Sequence, residues 1–306
     1  MQAILFPGQG SQYVGMGSDF YKKFDAVKKV FKTVDDTLGF PLSKLILDGP
    51  EEELKLTQNT QPAIMTVGVS IFNSLKENFN INLSESKFFA GHSLGEYTAL
   101  VCSGSLSLEK AAYLLCERGK AMQEAVRPNE GLMIAVLGMT INEIENEIKL
   151  LSTKGICEIA NDNSNGQVVV SGTKDAIEKL NENLKKNKKR GIILPVSAPF
   201  HCSLMKEASE KMKDKITNVD FLKPNPVIIS NVTAQKEDNV DKIKSLLIDQ
   251  ITSRVRWRES VDYMIKNKVT NFVEIGPGKV LSGLVKKINK NVKISNISSL
   301  EDVKND

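Results

Sequence analysis

Histidine is the scarcest reactive side chain here: the 306 residues carry two, His92 and His201. The four cysteines (Cys102, Cys116, Cys157, Cys202) form no Cys-x-x-Cys pair and sit mostly inside apolar segments. That leaves too few ligands at the right spacing for a structural zinc site, so no metal is expected. Unpaired thiols in apolar stretches read as reduced and buried, as in cytosolic proteins. Apolar runs are all far shorter than a bilayer span, so no membrane association is expected. The start, MQAILFPGQG, has no basic residue ahead of its apolar run, which stops at Pro7. It does not read as a secretory signal, and the expected compartment is the cytoplasm. Excess charge is lacking too. A net charge of +4 is too mild to argue for nucleic acid, yet it would not repel an acidic protein partner. Internal repeats, low-complexity tracts and long linkers are absent.

What is present is enough chain for one large domain, or a domain with an insertion, and an ample apolar core. Its organising stretch is Lys87–Tyr97, KFFAGHSLGEY. A short apolar run (Phe88, Phe89, Ala90) meets Gly91-His92-Ser93-Leu94-Gly95, and a helical segment, Glu96–Cys102, follows. This is strand, sharp turn and helix with Ser93 at the corner. The flanking glycines leave room for a tight turn, which lifts the hydroxyl to the sheet edge and aims the Leu94 amide at whatever the serine attacks. A glycine-bounded helix start of no chemical consequence would look the same.

Ala3–Phe6 reads as a buried first strand, and Pro7-Gly8-Gln9-Gly10-Ser11-Gln12 as a glycine-rich loop after it. The dinucleotide fingerprint fails because Tyr13 stands at its third glycine. The loop could still offer backbone amides to an oxyanion, or could be a simple turn. Helices are expected over 19–37 and 61–77, with Pro62 in the first turn of the second. Residues 107–126 form an amphipathic helix with Leu108, Ala111, Leu114, Leu115, Met122 and Ala125 on one face. Arg118 falls on that apolar face. A buried guanidinium needs a partner, so it is an internal ion pair, a snorkelling stem or a socket for a ligand carboxylate.

From about Gly131 the rhythm becomes strand (132–139), helix (141–151), strand (155–160), strand (166–172), helix (174–186) and strand (190–197). That βαββαβ order is the ferredoxin-like unit, set between the elbow half and the rest. The run Lys185–Arg190 is expected at the solvated end of its second helix. SAPFHC then places His201 in a rigid loop, since Pro199 stops regular structure just before Phe200-His201. Gln250 is a polar residue on the apolar stripe of a helix over 240–251. Asn271–Ile275 is a strand and 279–288 a helix, with Gly276-Pro277-Gly278 between them. A P-loop is excluded there because Val273 replaces its first glycine and Val280 its hydroxyl.

FPGQGSQ, GHSLGEY, Arg118, the PFH element and EIGPGKVL occur in one order across the chain. Together they resemble the malonyl-CoA:acyl carrier protein transacylase family over essentially the whole length. The resemblance implies an α/β-hydrolase-like large subdomain with a mainly parallel sheet (1–127 and 197–306) and an inserted ferredoxin-like subdomain (128–196). It implies Ser93 as nucleophile, His201 as its base, and the main-chain carbonyl of Gln250 orienting the histidine. The amides of Gln9 and Leu94 would form the oxyanion hole, and Arg118 would grip the malonyl carboxylate. His92, Asn161, Asn163 and Phe200 would adjoin the substrate, Phe200 crowding any α-substituent. The implied partners are malonyl-CoA and an acyl carrier protein of fatty acid synthesis, with Lys185–Arg190 or Lys286-Lys287 steering the carrier. Malonyl-CoA is a substrate, and no cofactor is implied. A serine esterase or thioesterase on the same fold would explain Ser93 and His201 and leave Arg118 idle. A non-catalytic carrier-binding module would use neither.

Overall fold

The computed structural model describes residues 1–196 and 198–303. The expected boundary at Ser197, also the first residue of SAPFHC, lies outside the described residues. The strands are β1 Gln2–Phe6, β2 Phe88–Gly91, β3 Gly131–Leu137, β4 Cys157–Ser164, β5 Gln167–Thr173, β6 Arg190–Ile193, β7 Ile228–Ile229, β8 Lys236–Glu237, β9 Asn271–Ile275 and β10 Lys293–Ile297. One sheet has the order β10-β9-β1-β2-β7-β8 and is parallel except for the β7–β8 pair. The other, β4-β5-β3-β6, is antiparallel throughout. The chain is an α/β fold with a mostly parallel sheet and a separate antiparallel one.

Both faces of the parallel sheet are covered, which is why β1 and β2 are apolar at successive positions. Ile4, Phe6 and Phe89 join the core that includes the helix Thr57–Phe79, while Ala3, Leu5, Phe88 and Ala90 pack on the opposite face with Trp257 and Leu284. The antiparallel sheet alternates instead. Ile134, Val136, Val168 and Val170 pack under the helices Ile141–Lys149 and Lys174–Lys186, and Met133 and Val169 face the larger sheet's core. Asp162 N–H donates to Val255 O (2.9 Å) and Val255 N–H to Ala160 O (2.8 Å), tying β4 to the rest of the molecule.

Several elements depart from expectation for visible reasons. The helix expected over 19–37 is two, Ser18–Lys23 and Asp25–Leu38, because Phe24 is extended with its ring set against Phe20 and Phe79. The next helix starts at Thr57, so Pro62 lies inside it and not in its first turn. Side-chain bonds from Asn59 to Glu53 O and from Thr60 to Leu54 O anchor that earlier start. The strand over 190–197 ends at Ile193, since Pro195 has no N–H to continue the ladder. The Lys185–Arg190 run is more than a helix end: the helix stops at Lys186, Lys188 turns with φ 54°, and Arg190 opens β6.

Candidate active site

β1 and β2 run parallel with Phe6 opposite Gly91, so the chain leaves both strands at one edge of the sheet. His92 N–H donates to Phe6 O at 3.1 Å, which brings the Pro7–Gln12 loop beside the serine corner. The glycines are required by contact. A Cβ on Gly91 would come within 1.9 Å of the Gly95 carbonyl group, and one on Gly95 within 2.2 Å of Phe6 O. Ser93 itself has φ 53°, a left-handed conformation that a serine keeps only when its surroundings impose it. They do so at both ends. Its N–H donates to Asn231 Oδ1 (2.7 Å), and its carbonyl accepts from Gln250 Nε2 (3.2 Å).

His201 lies between β6 and the helix Lys206–Thr217, also left-handed at φ 59°. Its Nε2 is 2.8 Å from Ser93 Oγ and its Nδ1 2.9 Å from the main-chain oxygen of Gln250. A carbonyl only accepts, so Nδ1 carries the proton and Nε2 is left to accept the serine O–H. Burial, helped by the positive charge of Arg118, pushes His201 down from 6.5 to about 3, which keeps the ring neutral.

Arg118 stands in the helix Leu108–Glu124 and is 1% exposed. Its partners are all neutral: Nη1 donates to Gln61 Oε1 (2.7 Å), and Nη2 to Gln250 Oε1 (2.9 Å) and Ser93 Oγ (3.1 Å). Among the described residues no carboxylate hydrogen-bonds to it, and its Nε has no partner. This geometry is not that of a snorkelling stem, and no carboxylate bonds the guanidinium directly. Burial lowers the guanidinium pKa, against the opposing pull of Tyr97 and Glu96.

These groups open on a cavity of about 730 Å³, lined by Gln9, Ser93, Leu94, Arg118, His201 and Phe200 on the side of the parallel sheet. Met133, Leu194 and Val196 close it from the antiparallel-sheet side, and Asn161 and His92 also reach it. Asn163 does not. It sits two residues further along β4, about 7 Å on, where its Oδ1 lies 2.8 Å from His92 Nε2. His92 is held there with its ring against Trp257, and burial lowers its pKa. Gln250 is 0% exposed and acts from behind the cavity wall.

Sequence reasoning did not single out Asn231, Gln61 or Glu96. Asn231 follows a two-residue strand that leaves almost no periodic signal, and Gln61 lies next to a proline that drew attention to the helix start. Glu96 is an acid in the first turn of its helix, a common position that carries no signal of its own. No group of three or more His, Cys, Asp or Glu side chains able to hold a metal occurs among the described residues. No helix among them is long and apolar enough to cross a membrane.

The model of the acyl transferase domain family matches residues 4–304. The chain belongs to the acyl transferase family. The malonyl CoA-acyl carrier protein transacylase of Bacillus subtilis is 44% identical over 303 residues, covering 98% of this chain and 94% of that one. The crystal structure of the acyl-carrier-protein-S-malonyltransferase from Bartonella henselae superposes with a TM-score of 0.96 at 42% identity, over 99% and 97% of the two chains. A malonyl-transacylase in complex with a type II PKS acyl-carrier protein superposes with a TM-score of 0.95 at 36% identity, over 99% and 97%. This acyl transferase is therefore similar along its whole length to the transacylases its motifs resemble.

Proposed function

We propose that the enzyme transfers the malonyl group from malonyl-CoA to the phosphopantetheine thiol of an acyl carrier protein, through a malonyl ester on Ser93, for fatty acid synthesis. The observation that carries this reading is Arg118: a buried guanidinium without a carboxylate partner, 3.1 Å from the hydroxyl that faces His201. A hydrolase of neutral esters has no use for it.

Ser93 Oγ attacks the thioester carbonyl while His201 Nε2 takes its proton. The amides of Gln9 and Leu94 would hold the oxyanion, since both residues line the cavity beside Ser93. Collapse expels the CoA sulfur, which takes the proton back from His201 Nε2, and leaves malonyl-serine and a neutral imidazole. The carrier thiol then gives its proton to His201 and attacks the ester, and collapse of that intermediate returns the proton to Ser93 Oγ as the malonyl carrier leaves. Donor and acceptor thiols end in the same arm, so one cavity can serve both in turn. Thioester replaces thioester, so the cycle needs no energy source or cofactor. Arg118 fixes the free carboxylate of the acyl group, with His92 and Asn161 near it and Asn163 behind. Phe200, beside His201, narrows the space for an α-substituent.

In this reading residues 1–127 and 197–306 are an α/β-hydrolase-like subdomain and 128–196 a ferredoxin-like insertion. The strand order β4-β5-β3-β6 within βαββαβ supports the second. The reaction is that of a cytoplasmic enzyme, and the exposed lysines of 185–190 suit an acidic carrier.

Intact-mass spectrometry after mixing with malonyl-CoA tests it. The chain should gain one malonyl group, Ser93→Ala none, and carrier thiol should discharge the adduct faster than water. An adduct that persists in Ser93→Ala, or one that water removes as fast, overturns it.

A further inference from the structure

One buried carboxylate adjoins the site without lining the cavity. Glu96 stands in the first turn of the helix Gly95–Cys102, where the helix dipole would favour it in any case. Yet it is 2% exposed, and its Oε2 bonds away from its own helix. It accepts from Asn231 N–H at 3.0 Å and from Gln250 Nε2 at 2.8 Å.

Both partners continue to the reacting groups. Asn231 accepts the Ser93 N–H through Oδ1 and donates through Nδ2 to Gly91 O (2.7 Å), holding the strand end and the serine together. Gln250 reaches three of them: Oε1 accepts from Arg118, Nε2 donates to the Ser93 carbonyl, and the main-chain oxygen holds His201 Nδ1. A glutamine amide can turn over with little change of shape. Turned over, Gln250 would set an NH2 against the guanidinium, donor against donor. A carboxylate only accepts, so Glu96 selects the orientation in which the amide oxygen faces Arg118.

We propose that Glu96 is a positioning residue whose carboxylate, by fixing Gln250 and Asn231, holds Ser93, His201 and Arg118 in one mutual register. This deepens the malonyl-transfer reading and rests on it. The charged and titratable groups around Glu96 are Arg118 from the helix Leu108–Glu124 and Tyr97 from its own helix, with His201 beyond Gln250. Burial raises Glu96 to about 7, against the pull of Asn231, Gln250 and Arg118.

The test is the rate of Ser93 acylation by malonyl-CoA and by acetyl-CoA at pH 8, where Glu96 is ionised. Glu96→Leu, which removes the acceptor, should slow malonyl transfer about 100-fold, the scale of a 1 Å misplacement. Acetyl transfer should also slow, since it needs Ser93 and His201, but by clearly less, since it does not use Arg118. Glu96→Gln keeps an oxygen at the Oε2 position and should recover most of the malonyl rate. No loss in Glu96→Leu would assign Glu96 to the helix alone, and equal losses for the two donors would overturn the claim that it holds Arg118 in register with Ser93 and His201. If Glu96→Leu does not fold, Glu96→Gln decides: recovery at pH 8 supports the acceptor role, and a rate 100-fold below wild type overturns it. A wild-type chain that takes up no malonyl group sinks the underlying reading as well, and the unsubstituted control separates that failure from the failure of Glu96.

Discussion

Arg118 is buried and Arg258 half-buried, and their surroundings are opposite. Arg258 is closed: Nε and Nη2 bond the two oxygens of Asp162 at 3.1 and 2.8 Å, and Nη1 bonds Asp262 at 3.3 Å. The side chain of Asp162 is 1% exposed, so this fork locks β4 to the helix Trp257–Lys266 and commits the Arg258 charge to carboxylates. Arg118 is open. It is deeper, yet its bonds go to two glutamines and a serine, none of which cancels its charge. Two arginines of similar chemistry thus stand in different settings, and what separates them is the charge of their hydrogen-bond partners. A guanidinium matched by carboxylates is cement, whereas one matched by neutral dipoles keeps its charge, as the proposed carboxylate socket requires.

The sharpest way to break the contrast is Arg118→Ala. It should slow Ser93 acylation by malonyl-CoA by about 2–5 kcal/mol, as for a desolvated ion pair, while acetyl-CoA is largely spared. Parallel loss with both donors would mean that the open arginine is not a carboxylate socket. Arg258→Ala should do the reverse. It strands a buried aspartate, so urea denaturation should show a loss of about 3 kcal/mol, with the malonyl-to-acetyl ratio unchanged. A changed ratio would show that the two arginines are not separable.

A subtler difference concerns protons near the open arginine. Folded His201 takes a proton only at about 3, against 6.5 ordinarily, so between those values the unfolded chain binds the extra proton. Its contribution to stability is present above about pH 6.5 and is lost as the pH falls toward 3. Glu96, raised from 4.5 to about 7, has the opposite sign: its contribution is present below 4.5 and is lost as the pH rises through 7. Denaturation midpoints between pH 4.5 and 7.5 should therefore fall less on acidification in His201→Gln than in wild type. Identical slopes would remove His201 from the balance. The smallest effect is steric. Phe200→Ser should raise the methylmalonyl-to-malonyl ratio by about 1 kcal/mol, the scale of one methylene, and an unchanged ratio would show that Phe200 does not crowd the substrate.

Much of this was legible because it is local. The elbow could be read from two glycines around Ser93, and the six elements of the antiparallel-sheet unit from alternation giving way to helical spacing. Arg118 announced itself as a charge on an apolar stripe. The break at Phe24 was not legible, because it depends on Phe79, far along the chain. Nor were β7 and β8, two residues each, which exist only because β2 offers an edge. Asn231 lies 138 residues from the serine whose N–H it holds, and no spacing rule spans that distance.

The amino-acid order alone decided where the serine turns, which helix face hides a cation, and that the chain is α/β, since each follows from steric demands and hydrophobic periods within a few turns or strands. Only the tertiary structure decided that this cation meets amides and a hydroxyl instead of a carboxylate. The reason is that a buried charge takes its meaning from the polarity of what surrounds it, and those neighbours come from three distant segments of the chain.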